Sequence, residues 1–215
     1  MKLKKERLIV SVETEAGSKG DEIARELAET LCIPCYEEEV IRTASDISGI
    51  PLKLLKRYED RTAHSAYDLT AEDESGILIP PAKYFLMAQI AACRLLAEYR
   101  SCILVDHHSN AALSGRDNHV RVFVHADQES RRKQFALEKG VEPGKAKKAL
   151  GKEDRRRRRY FRSVSRNWGK AGNYDLTVNS SQGSPAVIAG HIVDYLQTIT
   201  EERLVHPTWA DRQSA

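Results

Sequence analysis

The sequence predicts a three-layer α/β/α fold in which helices cover both faces of a central parallel sheet. Three observations predict it. The runs Cys102-Ile103-Leu104-Val105 and Val120-Arg121-Val122-Phe123-Val124 are almost continuously apolar, as strands buried on both faces are. Stretches of helical periodicity stand between the strands, and such alternation specifies parallel pairing with crossovers on the faces. The 215 residues, 41% of them hydrophobic, suffice for one globular domain with a sizeable core at residues 1–200, followed by a polar tail at 201–215.

The first strand is carried by Leu8, Ile9, Val10 and Val12. It leads through Gly17-Ser18-Lys19-Gly20 into a helix opening at Asp21, where Ile23, Leu27 and Leu31 recur every fourth residue beside Ala24 and Ala28. Asp21 or Ser18 is placed to cap that helix. Ile33-Pro34-Cys35-Tyr36 predicts a short second strand and residues 37–45 a helix, broken by Ser48-Gly49-Ile50-Pro51. A helix over 51–60 follows, then a polar, irregular stretch at 61–76 that reads as a mobile loop. Residues 84–99 predict a long helix with Phe85, Ile90, Ala92, Leu95 and Leu96 on or near its buried side. Beyond the two central strands, 129–139 and 143–150 predict helices, 174–178 a last strand and 185–199 a last helix.

Strand, glycine turn and helix in succession can hold phosphate, because the first N–H groups of a helix lack intrahelical partners and carry the positive end of its dipole. Gly17 and Gly20 let the backbone curl around phosphate oxygens, with Ser18 and Lys19 between them. The pattern departs from G-x-x-x-x-G-K-[ST]. With Lys19 as the lysine, Ser18 and Glu13 fall at the glycine positions and Gly20 at that of the magnesium-binding hydroxyl. On these residues alone the turn is either a phosphate cradle or a plain turn.

Asp106 ends the apolar run 103–105, and the carboxyl end of a central strand is where open α/β sheets place their sites. A carboxylate there holds Mg²⁺ in P-loop NTPases, so Asp106, through water, and the Ser18 hydroxyl are the metal candidates. His107 and His108 either contact substrate or cap the next helix. Residues 155–159 are five consecutive arginines, which on a helix point in all directions. Asp154, Arg157 and Arg158 share a side with Phe161 or Arg162. Guanidinium forks match phosphate oxygens bidentately, and residues 143–170 fall where P-loop kinases carry a basic lid. The other readings are a solvated basic face or a nucleic-acid contact over 155–166, with Tyr160, Phe161 and Trp168 interleaved.

A formal net charge of +3 is too balanced to indicate nucleic acid from total charge. No apolar run approaches the ~20 residues of a membrane span. The basic start Met1-Lys2-Leu3-Lys4-Lys5 leads into a strand too short and mixed for a signal sequence, so a cytoplasmic protein with no membrane partner is expected. Cys32, Cys35, Cys93 and Cys102 do not make a disulfide scaffold in a chain of this length. Cys32-Ile33-Pro34-Cys35 follows a helix rather than opening one, which favours structural thiols over a redox pair or a metal site.

Gly17-Ser18-Lys19-Gly20-Asp21-Glu22-Ile23-Ala24, Ile33-Pro34-Cys35-Tyr36, Arg121-Val122-Phe123-Val124-His125-Ala126, residues 154–161, and Trp168 followed by Tyr174-Asp175-Leu176 resemble the cytidylate kinase-like family. They do so in matching order over roughly residues 8–196. The resemblance implies a P-loop kinase fold that passes a phosphoryl group from ATP, with Mg²⁺, to a nucleoside monophosphate or another small acceptor. It implies that Gly17, Ser18 and Gly20 cradle the donor phosphates, Lys19 stabilises charge between them, and Asp106 orients hydrated magnesium. Arg131 then stands near the acceptor, Asp154 and Arg157 keep the D-x-x-R spacing of the acceptor and lid region, and Arg155, Arg158 and Arg159 are lid charges. Members commonly read G-S-G-G-R at the loop and G-R-G after the third strand, where this chain has Lys19, Asp21 and Asp106-His107-His108. Those departures leave a second expectation beside the phosphotransferase: a catalytically impaired nucleotide-binding or regulatory protein that retains the fold.

Overall fold

The computed structural model describes residues 7–60, 71–72, 78–79, 82–162 and 164–200. In chain order its first elements are β1 (Ile9–Thr14), α1 (Gly20–Leu31), β2 (Cys35–Tyr36), α2 (Glu38–Ser48), α3 (Leu52–Asp60), β3 (Ala71–Glu72), β4 (Leu78–Ile79) and α4 (Ala82–Leu96). There follow β5 (Cys102–Val105), α5 (Ser109–Ala112), β6 (His119–His125), α6 (Gln128–Lys139), α7 (Pro143–Arg162), β7 (Leu176–Asn179) and α8 (Pro185–Thr200). Five strands form one sheet in the order β2-β5-β1-β6-β7, every pair parallel, and β3 and β4 pair antiparallel. The expected parallel sheet with helices on both faces is what the chain forms.

Side-chain alternation builds a core on each face. Val10, Val12, Ile103, Val105, Val122 and Val124 meet Ile23 and Leu27 of α1 and Ile188, Ile192 and Leu196 of α8. On the other face Ile9, Cys102 and Leu104 meet Val40 and Ile41 of α2, Leu55 of α3, and Phe85 and Ala92 of α4. β1 is therefore buried at all six positions, which places the loop that follows it over the middle of the sheet. Local signals end the helices: Asp127 accepts from the Ser130 N–H ahead of α6, and Gly140 closes it at φ +60°.

The predicted helices at 37–45 and 84–99 are shifted to Glu38–Ser48 and Ala82–Leu96. The helix predicted over 143–150 continues without a break through the arginines as the 20-residue α7, since nothing between Leu150 and Arg162 interrupts it. Of the stretch predicted irregular at 61–76, Ala71 and Glu72 form β3; residues 61–70 and 73–76, and the tail at 201–215, lie outside the described residues.

Candidate functional site

The glycine turn opens α1 as a close-fitting loop. Gly17 has φ +72°, and a Cβ there would lie 2.4 Å from the Arg131 carbonyl oxygen. Gly20 is the first residue of α1, where a Cβ would lie 2.2 Å from Thr14 Cγ2. Both positions therefore require glycine. Lys19, between them, takes the left-handed conformation at φ 59° and precedes the helix, so its side chain stands one residue before the helix start. Ser18 is 1% exposed, its carbonyl accepts from Ser180 Oγ at 2.6 Å, and its own Oγ is buried without a partner. Residues 14–20, with Arg156 and Arg157 of α7, line a cleft of about 310 Å³. Size, glycine backbone, orphaned hydroxyl and helix N-terminus together fit a phosphate chain. The acidic Asp21 and Glu22 occupy the first turn of α1.

Asp106 does lie beside this loop, at the end of β5. Its Oδ1 accepts from the Thr14 N–H at 3.2 Å and its Oδ2 from Arg157 at 2.8 Å. The same Arg157 nitrogen donates to the Thr14 carbonyl at 2.9 Å and to Thr14 Oγ1 at 3.1 Å. Burial works against the Arg157 charge, but Asp106, Asp21 and Glu153 outweigh it and raise the guanidinium pKa. Direct coordination of magnesium by Asp106 does not fit this arrangement, because both carboxylate oxygens and the Thr14 hydroxyl already accept hydrogen bonds. Among the described residues no group of three His, Cys, Asp or Glu side chains could hold a metal.

Arg131, 7% exposed, anchors α6 to the loop and to α7: Nε donates to the Ala16 carbonyl at 2.8 Å, and the fork pairs with Asp154 and with Glu15 at 3.4 Å. Arg131 and Asp154, expected near an acceptor, thus face each other under the loop. Arg158 and the neighbouring Arg155 and Arg159 are exposed, whereas Arg156, not singled out by the sequence, lines both clefts.

A second cleft of about 340 Å³ adjoins the first, lined by Asp21, Lys56, Asp106, His107, Arg156 and Tyr160 among others. Its cations are matched by acids: Lys56 lies 3.5 Å from Glu38, Arg156 2.6 Å from Glu153, and Arg157 2.8 Å from Asp106. Asp106, His107 and His108 are three consecutive residues with positive φ, at 55°, 46° and 59°, a strained run. His108 occupies the residue before α5 but makes no side-chain cap. It is 1% exposed and stacks on Tyr160 at 4.1 Å; burial, then the neighbouring His107, pushes its imidazole down to about 3. Its ring packs against Tyr160 and Phe161, and of the pair only His107 lines this second cleft.

Glu13, at the motif's first glycine position, is 4% exposed in β1; loss of water pushes its carboxyl up to about 8, against the hydrogen bond that Tyr174 donates. All four cysteines are free thiols. Burial, then Glu37, pushes Cys35 up to about 12, away from reactive thiolate character. No described helix is long and apolar enough to cross a membrane.

The parallel sheet, the glycine loop between β1 and α1, and the carboxylate at the end of β5 define a P-loop kinase fold. Within that class the chain belongs to the cytidylate kinase-like family, whose model matches residues 9–182. An uncharacterized protein from Eubacterium ventriosum has a similar structure, with a TM-score of 0.65 and 20% identity over 89% of this chain and 99% of that one. Shikimate kinase from Acinetobacter baumannii, in complex with shikimate, is similar at a TM-score of 0.52 and 13% identity over 89% and 94% of the two chains. A gluconokinase from Sinorhizobium meliloti is similar at 0.52 and 14% over 92% and 96%. No curated protein matches the chain in sequence.

Proposed function

We propose that the chain is a phosphotransferase that binds ATP at the loop 17–20 and moves its γ-phosphoryl group to a small acceptor in the adjoining cleft. The observation that supports this best is the loop itself, with two positions that exclude a Cβ, an orphaned Ser18 hydroxyl and a helix N-terminus behind it. Backbone N–H groups of the loop would take the donor phosphates, and Lys19 and Arg157 would supply charge as it develops on the transferring group. Arg131 and Asp154 would act by positioning, since they hold the loop against α6 and α7. His107 and Arg156 line the acceptor side.

The acceptor is either a nucleoside monophosphate, as the family's name suggests, or another small hydroxyl compound. Because the described cations of that cleft are paired with acids, the acceptor panel must include neutral polyols beside nucleoside monophosphates. Purified protein with ATP should release ADP only when the right acceptor is present. ADP release that no acceptor stimulates would remove the phosphotransferase reading. A specific observation favours a second reading, nucleotide binding without turnover: Gly20 rather than a lysine begins α1, and Asp21 follows it. ATP that raises the melting temperature without any turnover is the expected signature of that reading.

A further inference from the structure

We infer that Arg157 is a resident cation at the foot of the phosphate loop, so that the protein binds the phosphates of its nucleotide without holding a divalent metal. This rests on the nucleotide-binding reading above and deepens it.

One guanidinium nitrogen meets the Asp106 carboxylate, the Thr14 carbonyl and the Thr14 hydroxyl at 2.8, 2.9 and 3.1 Å. That is an all-oxygen donor set of the kind a hard divalent cation uses, but Mg²⁺ requires near-octahedral oxygens at about 2.1 Å. Here the oxygens are gathered around hydrogen-bond donors instead. Guanidinium keeps its charge at any physiological pH, so this cation is neither titrated nor exchanged. Glu153 reinforces it from one turn away, with Oε1 3.6 Å from Arg157 Nε.

α7 is also fastened on the far side of Arg157, which separates a resident cation from one carried on a swinging lid. Phe161 is 3% exposed and stacks on Trp168 at 5.0 Å between ring centres. Tyr160 stacks on His108 at 4.1 Å, and its hydroxyl donates to Oε1 of the fully buried Gln89 at 2.9 Å. Withdrawing Arg157 to admit a metal at Asp106 would break a partly buried ion pair and pull on both aromatic contacts. The nucleotide's phosphates therefore meet a positive charge already in place, and any magnesium arriving with them stays on phosphate and water.

Calorimetric titration of ATP into the full chain, once in EDTA and once in Mg²⁺, tests this. Wild-type dissociation constants in the two media should agree to within about threefold. Arg157→Gln should weaken binding in EDTA by roughly tenfold or more through loss of a charge-assisted contact, with Mg²⁺ recovering part of the loss. Arg157→Lys, which keeps charge but not the fork, should fall between the two. If Arg157→Gln does not fold, the wild-type comparison alone decides. A wild-type affinity that rises by about tenfold or more with Mg²⁺ overturns the inference and leaves nucleotide binding standing. No ATP binding in either medium overturns the nucleotide reading and this inference with it.

Discussion

Glu13 shows how much one buried group can bias the molecule. Its carboxyl ionises near 4.5 when exposed and near 8 in the fold, because removal from water outweighs the hydrogen bond from Tyr174. Between those values the folded chain binds a proton that the unfolded chain has lost, so stability falls as pH rises through that window, by about 1.4 kcal/mol per unit of separation. Glu13→Gln keeps an acceptor for Tyr174 and removes the titration. Its stability in urea should approach or exceed wild type as pH rises from about 5 to about 8. Parallel pH profiles for the two proteins would contradict a buried neutral carboxyl. Gly17→Ala tests the loop in the same way. At φ +72° an L-residue costs about 1–2 kcal/mol, and the added Cβ would also strike the Arg131 carbonyl at 2.4 Å. The variant should melt lower and lose ATP affinity; wild-type behaviour would show that the loop has room it does not need. Motif matching picked out both glycines and Asp106, but not Thr14, whose carbonyl and hydroxyl hold Arg157. A threonine ending an apolar strand carries no sign of the partner that will reach it from 143 residues away.

At the scale of elements, α7 is where the sequence was most and least readable. The five arginines at 155–159 announce charge without direction; three- and four-residue spacing set Asp154, Arg157 and Phe161 on the inner side, as found, but placed Arg158 with them, and Arg158 is exposed. Spacing could not tell that Arg156 would line the clefts and Arg158 face solvent, since adjacent residues differ by only about 100° on a helix. What fastens α7 to α6 is Asp154 on Arg131, whose side chain is 9% exposed. Removing one partner of such a pair costs about 3–5 kcal/mol when a charge is left stranded, and somewhat less here because Glu15 remains 3.4 Å away. Asp154→Asn should therefore lower stability and speed hydrogen exchange in α7. The double change Arg131→Met with Asp154→Leu, which removes both partners and leaves only the partly exposed Glu15 without its cation, should recover much of the loss. Equal destabilisation by the single and the double variant would mean that packing, not the ion pair, joins the two helices.

Across the whole molecule, the parallel sheet was legible because its central strands are apolar on both faces, which only a covered parallel sheet tolerates. Strand order is set by long-range pairing that periodicity does not encode, so β1 between β5 and β6 emerges only from the fold. That order has a consequence for ligand binding. The glycine loop hangs from the central strand, Arg131 reaches it from α6, and Arg157 reaches it from α7, so a ligand bound there would contact three separate parts of the chain. Occupancy should stabilise the protein as a unit rather than tighten one loop. ATP at one hundred times its dissociation constant should add about 2.7 kcal/mol, which for a chain of this size corresponds to roughly 5–10 °C in Tm. Hydrogen exchange should slow in α1, α6 and α7 together. Protection confined to the loop, with Tm unmoved, would mean that the nucleotide does not engage Arg131 and Arg157, and that the cleft between β1 and α7 is not where its phosphates sit.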